Sequence, residues 1–281
     1  MKRKKATKKV IYYVIVTAIG ILMIYPLLWM VMSSFKETNS IFRTAGSLIP
    51  EKFTLDNYRN GWKGFAKITF GTFFKNSAVI SITATIGTVI SSSLVAFGLS
   101  RCRFKGNKIL FALVLLTMMV PAQVLMVPQY IWYSKLGWVG SYIPLIVPYC
   151  FAIQGFFVYM MYNFLQGIPK ELDEAAKIDG CSYYTIYTHI ALPLMVPALV
   201  TSGIFSFIWR WDDFMSALLY INKAAKYPVC LALKLFADPG STSDYGAMFA
   251  MSVLSILPVL VIFIFSQKYL VDGIATSGLK G

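Results

Sequence analysis

The chain has 281 residues, of which 57% are hydrophobic and only 14% are charged, and its formal net charge is +14. A soluble domain carries about a quarter charged residues, so this composition excludes an ordinary soluble protein and indicates lipid as the surrounding solvent. Much of the positive charge lies beside long apolar runs, which is typical of cytoplasmic membrane loops rather than of a nucleic-acid-binding surface. The basic clusters are Lys2, Arg3, Lys4, Lys5, Lys8 and Lys9 before the first run and Arg101, Arg103, Lys105 and Lys108 after the second.

The first apolar run extends from Val10 to Val31, directly after the basic N-terminus. A cleaved signal peptide also begins with basic residues and an apolar stretch, but its apolar core is shorter and ends at a small-residue cleavage site. This run is too long for such a core, and no clear cleavage site follows it. We therefore interpret residues 1–9 as a cytoplasmic N-terminus and residues 10–32 as a retained first transmembrane helix.

Six segments are long and apolar enough to cross a membrane, which takes about 20 residues of helix. An even number of spans places both termini on one side, and the basic clusters make that side the cytoplasm. Prolines inside the spans, such as Pro121 and Pro148, predict kinks, which membrane helices tolerate when neighbouring groups satisfy the freed carbonyls. The predicted spans are Val10–Met32, Ser77–Ser100, Ile109–Tyr130, Tyr142–Tyr162, Pro197–Tyr220 and Ala247–Leu270.

The segment between the first two spans, residues 33–71, is predicted to lie on the extracytoplasmic side. From Lys36 to Lys75 the chain has seven basic residues against three acidic ones, which by itself opposes translocation. Longer translocated segments follow the positive-inside rule less strictly, so we retain the six-span topology.

The polar gap between the fourth and fifth spans predicts a short helix, a glycine break and a second short helix. Pro169 can open the first helix because it lacks an N–H that would be unpaired there. Acidic residues follow in the first turn, where they complement the helix dipole. Gly180 can adopt the left-handed conformation that ends a helix, and Ser182 can cap the next one. One weakly apolar face suits insertion into a protein cleft or a position at the lipid headgroups, and it comprises Leu172, Ala175, Ala176 and Asp179.

The same loop carries the sequence Glu174-Ala175-Ala176, then Gly180 and, after nine further residues, Ile190-Ala191-Leu192-Pro193. This spaced pattern resembles the cytoplasmic loop of permease subunits in binding-protein-dependent, ATP-driven importers. The resemblance implies a coupling helix from Glu174 to Gly180 that docks onto a separate ATPase. It implies a coupling loop at residues 167–193, with the site residues Glu174, Ala175, Ala176, Asp179, Gly180, Ile190, Leu192 and Pro193.

Other motifs are similar to the carbohydrate branch of these importers, and most of all to the smaller permease subunit of maltose-type systems. They are Phe53–Tyr58, Asn76-Ser77, Ala96–Arg101, Phe104-Lys105-Gly106 and the tail Gly278–Gly281. The resemblance implies the type I ABC importer permease fold, an all-α integral membrane protein with six transmembrane helices and a cytoplasmic coupling helix. Five of these helices belong to a permease domain at residues 72–270, and a cytoplasmic tail follows at residues 271–281.

The resemblance also implies the partners and the location of the protein. A second permease subunit, forming a heterodimer, would share the lipid bilayer with this chain, and two ATP-binding subunits would hydrolyse ATP. An extracytoplasmic solute-binding protein would deliver a sugar or oligosaccharide. The expected location is a bacterial-type cytoplasmic membrane with both termini inside, and no nucleic acid is expected as a partner.

A group of polar and aromatic residues, Trp209-Arg210-Trp211-Asp212-Asp213, lies within the fifth predicted span. Ionisable groups inside a membrane are costly and usually functional. Because tryptophan has a flat apolar face and carboxylates accept hydrogen bonds from sugar hydroxyls, Trp209, Trp211, Asp212 and Asp213 are candidates for a substrate pathway. The alternative is an interfacial anchor in which Arg210 and Asp213 form a structural ion pair. The family usually has Trp–Asn where this chain has Trp211–Asp212.

No signature of catalysis is present in the sequence. It has no G-x-x-x-x-G-K-[ST] phosphate loop and no nucleophile motif, and its one histidine, His189, has no neighbouring metal ligands. The cysteines have neither zinc nor redox spacing. We therefore predict no catalytic residue, no metal and no cofactor. The alternatives are an ABC importer permease for a non-sugar solute, an ion-coupled secondary transporter, which would have internal repeats, and an integral-membrane enzyme.

Overall fold

The computed structural model describes residues 2–65, 67–236 and 244–278, and these fold almost entirely into helices. They divide into two compact units, one within residues 1–71 and 232–257 and the other within residues 72–231 and 258–281. The helices are α1 (Lys2–Ser33), α2 (Asp56–Lys63), α3 (Phe70–Arg101), α4 (Asn107–Met119), α5 (Ala122–Lys135), α6 (Ile143–Ile146), α7 (Gly155–Gln166), α8 (Glu171–Ile178), α9 (Tyr183–Ile186), α10 (Leu192–Leu194), α11 (Val196–Trp211), α12 (Phe214–Tyr220), α13 (Val229–Leu235) and α14 (Tyr245–Gly278).

Helices long and apolar enough to cross a membrane account for most of the described chain. Four stretches qualify on their own, and two pairs of helices qualify together although each pair is sharply bent. Counting each bent pair as one span gives six, the number predicted from the sequence, but the second pair includes Tyr183–Leu194 of the predicted coupling loop, so only its α11 part falls in the predicted fifth span. The four stretches are Ile11–Ser33, Phe70–Arg101, Ile143–Gln166 and Tyr245–Gln267, and the bent pairs are Asn107–Met119 with Ala122–Lys135 and Tyr183–Leu194 with Val196–Trp211.

The first and last helices extend beyond the predicted spans. α1 begins at Lys2, so the basic N-terminal segment continues the first span without a break. Lysine and arginine are good helix formers, which explains why this segment stays helical. α14 continues to Gly278 and so includes most of the predicted tail at residues 271–281. Residues 279–281, the end of the predicted tail motif, lie outside the described residues.

The third predicted span, Ile109–Tyr130, is two helices rather than one. α4 ends at Met119, α5 begins at Ala122, and the two axes differ by 100°. Between them Val120 is extended, with a ψ of 118°. This conformation is expected, because the ring of Pro121 clashes with an α-helical conformation in the residue that precedes it. The kink predicted at Pro121 is therefore a sharp bend, and the prediction of a single helix is wrong.

The fourth and fifth predicted spans are also interrupted. The fourth consists of α6, a 3-10 turn at Val147–Phe151 and α7. In the fifth, α11 ends at Trp211 and α12 begins at Phe214, so a continuous helix over Pro197–Tyr220 is wrong. The Asp213 carboxylate accepts a hydrogen bond of 3.1 Å from the backbone N–H of Ser216 and so caps α12. Aspartate is a favoured cap because its side chain satisfies an otherwise unpaired N–H.

The first unit is organised around the buried side chain of Asn57. Its amide nitrogen donates hydrogen bonds of 2.8 Å to the carbonyl of Ser34 and 2.6 Å to that of Lys36. The Lys36 ammonium is itself buried and donates to the carbonyls of Thr44 and Ser47. Because buried polar groups are costly unless paired, these bonds give the segment after α1 one defined conformation.

Candidate coupling site

The polar loop between α7 and α11 has the predicted helix–glycine–helix structure. α8 carries three acidic residues in its first turn, and Gly180 has a φ of +80°, in the left-handed region. The Ser182 hydroxyl accepts a hydrogen bond of 3.2 Å from the backbone N–H of Thr185 and so caps α9. The local structure predicted for this loop is confirmed.

The two faces of α8 have different surroundings. Asp173 and Ala176 are buried, whereas Glu174, Ala175 and Asp179 are exposed. The predicted shared face is therefore divided, because Ala176 packs into the core of this subunit while Ala175 faces outward. The two consecutive alanines thus lie in different environments, and only one of them is available to a partner.

A π-helical turn at Tyr187–Ala191 connects α9 to α10. Because Pro193 has no N–H, the regular α-helical hydrogen bond to the carbonyl of His189 cannot form, and a π turn at this place is the expected response. Of the predicted loop residues here, Ile190 and Leu192 are half-buried and Pro193 is exposed. The helix axis then bends by 75° before α11.

The loop rests on an apolar cluster formed with the ends of α3 and α7. The Tyr187 ring lies 5.2 Å from the Phe97 ring, and its hydroxyl forms a 2.8 Å hydrogen bond with the hydroxyl of Ser93. Burial of this much apolar surface fixes the loop to both helices. The buried members of the cluster are Ala96, Phe97, Leu99, Val158, Met161, Leu165, Ala176, Ile186, Tyr187, Ala191 and Met195.

A buried ion pair makes a second connection between the loop and the transmembrane helices. The Nε of Arg101 lies 3.1 Å from an oxygen of Asp173, and the two side chains are 4% and 10% exposed. In the sequence, Arg101 belongs to a basic cluster that indicates membrane topology and Asp173 to an acidic first turn that complements the helix dipole, and neither pattern predicts this contact. No local signal could have revealed it, because the two residues belong to different helices.

The polar stretch at the end of α11 contains the ion pair considered as an alternative from the sequence. An Nη1 atom of Arg210 lies 2.8 Å from an oxygen of Asp213. The same nitrogen donates to the hydroxyl of Tyr149, and the guanidinium lies 4.2 Å from the centroid of that ring. Asp213 and Tyr149 therefore hold the arginine through three contacts, which explains how a cation is accommodated in an apolar region.

The four candidate pathway residues fall into two groups. Trp211 is 4% exposed and packs 5.5 Å from the Phe207 ring, and Asp213 is committed to Arg210 and to the cap of α12. Trp209 is 40% exposed, and Asp212 is also exposed. Trp209 and Asp212 are therefore the two candidates whose side chains are accessible from outside the subunit.

Comparison with known proteins identifies the family of this chain. Residues 87–276 match the family model described as the binding-protein-dependent transport system inner membrane component. The chain belongs to this family. Its described helices also match a crystal structure of a bacterial ABC transporter involved in the import of the acidic polysaccharide alginate, with a TM-score of 0.83, 23% identity and coverage of 95% of this chain and 98% of that one. This match shows that the two chains share a fold.

Curated relatives cover nearly the whole chain. The probable ABC transporter permease protein YurM of Bacillus subtilis is 36% identical over 92% of this chain and 84% of its own length. The trehalose/maltose transport system permease protein MalG of Thermococcus litoralis is 32% identical over 99% of both chains. The multiple sugar-binding transport system permease protein MsmG of Streptococcus mutans is 32% identical over the full length of both. The present chain is therefore a transport permease of the membrane, and not an enzyme in its own right.

The outer face of α8 carries exposed apolar side chains, and Ile178 among them lies outside the apolar face predicted from the sequence. Leu172, Ala175 and Ile178 follow one another at a spacing of three residues and are all exposed, Ile178 to 87%. Tyr184, in the next helix of the permease, is 75% exposed. An exposed isoleucine in a polar loop leaves apolar surface in water, which favours a protein partner. We refer to Leu172, Ala175, Ile178 and Tyr184 as the docking residues.

An open groove of about 960 Å³ lies between α8 and the chain after α3. Its charged lining residues are the basic Arg101, Arg103, Lys108, Lys170 and Lys177 and the acidic Asp173 and Glu174. The Lys177 ammonium lies 4.5 Å from the centre of the Tyr183 ring. Burial raises the pKa of the neighbouring Cys102 thiol, and the positive charge of Lys177 partly offsets that rise. Basic residues outnumber acidic ones in the lining of the groove.

Proposed function

We propose that this permease is the membrane-spanning subunit of an ATP-driven, binding-protein-dependent importer that translocates a sugar or oligosaccharide. Its family supports import with a binding protein, and the sugar-named relatives support the substrate class. One observation carries the proposal: the coupling helix is fixed to α3 and α7 on its inner face and leaves apolar side chains exposed on its outer face. That arrangement suits a loop that receives a movement from one protein and passes it to transmembrane helices.

The exposed residues of the loop would contact the ATPase. We assign this role to Glu174, Ala175, Asp179 and the docking residues, with Gly180 setting the turn between the two short helices. Ala176, Ile190 and Leu192 instead hold the loop to its own subunit, and Pro193 begins the bend into α11. Closure of the ATPases on ATP would displace the loop and shift the permease between outward-open and inward-open states, as in any ligand-biased two-state switch.

The proposed assembly contains two ATP-binding subunits, a second permease that forms a heterodimer with this one, and an extracytoplasmic solute-binding protein. Both termini and residues 164–195 would lie in the cytoplasm, and residues 33–71 outside. Cysteine labelling from outside intact cells tests this topology. Positions Gly46→Cys and Lys135→Cys should react, and Lys105→Cys should not. Labelling of Lys177→Cys in sealed cells would contradict the topology.

We further propose that Trp209 and Asp212 border the sugar pathway. An exposed tryptophan face can stack on the apolar face of a sugar ring, and a free carboxylate can accept bonds from its hydroxyls. Trp211 and Asp213 would support this region from within the subunit. Many of the contacts to sugar can come from the second permease, because a pathway at the interface of two subunits is lined by both.

Reconstitution of the complete importer in liposomes tests the function. The permease, its partner subunits and the binding protein are assembled, and uptake is measured for a panel of labelled sugars, amino acids and phosphate. We expect uptake of a sugar that requires ATP inside and binding protein outside. Uptake driven by an ion gradient without ATP would indicate a secondary transporter, and uptake of a non-sugar solute alone would refute the substrate class.

A further inference from the structure

One guanidinium group connects three parts of the permease beside the coupling loop. Arg101 is the last residue of α3, and its Nη2 donates hydrogen bonds of 2.9 Å to the carbonyl of Leu165 and 2.8 Å to that of Ile168. Its Nε lies 3.1 Å from the carboxylate of Asp173 in the first turn of α8. These contacts join the inner end of α3, the end of α7 and the start of α8 at a single point.

Membrane topology does not explain why Arg101 is buried. Arg103, Lys105 and Lys108 belong to the same basic cluster and are exposed, so they satisfy the positive-inside rule without it. Removing a guanidinium from water is unfavourable, and a buried ion pair often adds little net stability compared with apolar side chains of similar size. What arginine does offer is a planar fork of donors with fixed geometry.

We propose that Arg101 is a positioning residue of the transport cycle, and that its contacts transmit the displacement of the coupling helix to the inner ends of α3 and α7. This inference rests on the proposed function, because it requires an ATPase that moves the helix. Coupling between sites is carried by contiguous contacts such as these. Among the acidic residues of the first turn, Glu171 and Glu174 are exposed, so Asp173 alone makes the buried contact.

The apolar cluster and the Arg101–Asp173 ion pair attach the loop at different places. The apolar cluster holds the loop through Ala176, Ile186 and Tyr187, all beyond the first turn of α8. Loss of the ion pair would therefore leave the loop folded but free its first turn. The ATPase could then move that turn without moving α3 and α7, and ATP would be hydrolysed with less transport.

The test uses the complete importer in liposomes and measures the ATP hydrolysed per sugar taken up. Asp173→Asn keeps the size and polarity of the side chain but removes its charge, and Arg101→Gln removes the fork of donors. We expect each variant to raise the amount of ATP hydrolysed per sugar taken up by about fivefold or more. Fivefold is the lower end of the usual coupling factor between two sites. The double variant should match the more severe single one, because both changes break the same contact between Arg101 and Asp173. Arg101→Lys, which keeps the charge, should be intermediate.

An exposed ion pair in the same chain provides a matched control. Lys52 and Glu37 are 2.7 Å apart but 77% and 50% exposed. Because exposed pairs contribute little, Lys52→Gln should leave the ratio unchanged. Wild-type ratios in both Asp173→Asn and Arg101→Gln would overturn the proposal. If the wild-type complex shows no ATP-dependent uptake, it is the proposed function that fails.

A distance measurement separates positioning from folding. Spin labels at Arg103→Cys and Lys177→Cys, with the native cysteines replaced by serine, report the separation between the end of α3 and the coupling helix. In assembled complexes Asp173→Asn should broaden the distribution of distances. If Arg101→Gln does not assemble, Asp173→Asn decides the question. Failure of both variants to assemble would assign the pair to folding and refute the positioning role.

Discussion

Two arginine–aspartate pairs in the permease resemble each other chemically but differ in what they connect. Arg210 and Asp213 are three residues apart and stabilise the break between α11 and α12. Arg101 and Asp173 come from α3 and α8, and their contact joins separate helices. In both, the arginine also binds uncharged oxygens, which makes the buried cation tolerable. Arg210 also contacts Tyr149 of another segment, but its ion pair is made within one stretch of chain. The comparison teaches that the same ion pair can form across a local helix break or between helices that are distant in sequence, and the second kind attaches the polar loop to α3.

The largest effect is expected for Asp213→Ala. The change leaves Arg210 without a counter-charge at membrane depth, at a cost of about 2.5–3.5 kcal/mol on insertion scales, and it also removes the cap of α12. The amount of assembled complex in membranes should fall, as measured by quantitative immunoblotting. Asp213→Asn, which keeps a capping oxygen, should fall less. If the Asp213→Ala complex assembled in the same amount as the wild type, the Arg210–Asp213 pair would have no structural role.

A second test compares the two faces of the loop. Ile178→Ala removes three carbons from the exposed face and should weaken binding of the ATPase by about 2 kcal/mol if that side chain is buried in the complex. The melting temperature of the isolated permease should not change. Ile186→Ala, in the apolar cluster, should instead lower its stability by about 2–5 kcal/mol. Equal ATPase binding by Ile178→Ala and the wild type, measured by co-purification, would exclude Ile178 from the docking face.

Gly180→Val tests the turn that separates the two helices of the loop. A side chain at the φ of +80° costs about 1–2 kcal/mol. The space around the glycine is open, so the strain is in the backbone only. We expect loss of uptake with normal membrane insertion. Gly98→Ala, at a helical position that also has open space, is the control and should transport normally. Normal uptake by Gly180→Val would remove the turn from the coupling mechanism.

The smallest effect is expected for Asp212→Ala. This carboxylate lies next to the Arg210–Asp213 ion pair but takes part neither in that pair nor in the cap of α12. If Asp212 contacts sugar, uptake should fall by the equivalent of one hydrogen bond, about 0.5–1.5 kcal/mol. ATP hydrolysis stimulated by the binding protein and the amount of assembled complex should persist. Uptake and sugar preference identical to the wild type would leave the sugar contacts to the second permease.

Features that depend on neighbouring residues could be predicted from the sequence. Hydropathy predicted six spans, and the acidic first turn, Gly180 and Ser182 predicted the structure of the coupling loop, because caps and glycine turns are determined within a few residues. The pairing of Arg210 with Asp213 was predictable for the same reason. The bend at Pro121 was predicted in position but not in size, since the angle depends on what the two helices pack against.

Contacts between distant segments were decided only by the tertiary structure. The sequence grouped Ala176 with Ala175 on one face, and only the packing of α3 and α7 against α8 shows that Ala176 is buried and Ala175 is not. In the sequence, Arg101 cannot be told apart from the other residues of its basic cluster. The structure shows that Asp173 and the carbonyls of Leu165 and Ile168 surround its side chain. The physical reason is that the burial of a side chain depends on which segments cover it. Helical periodicity defines the faces of a helix, but it does not say which face another helix will occupy.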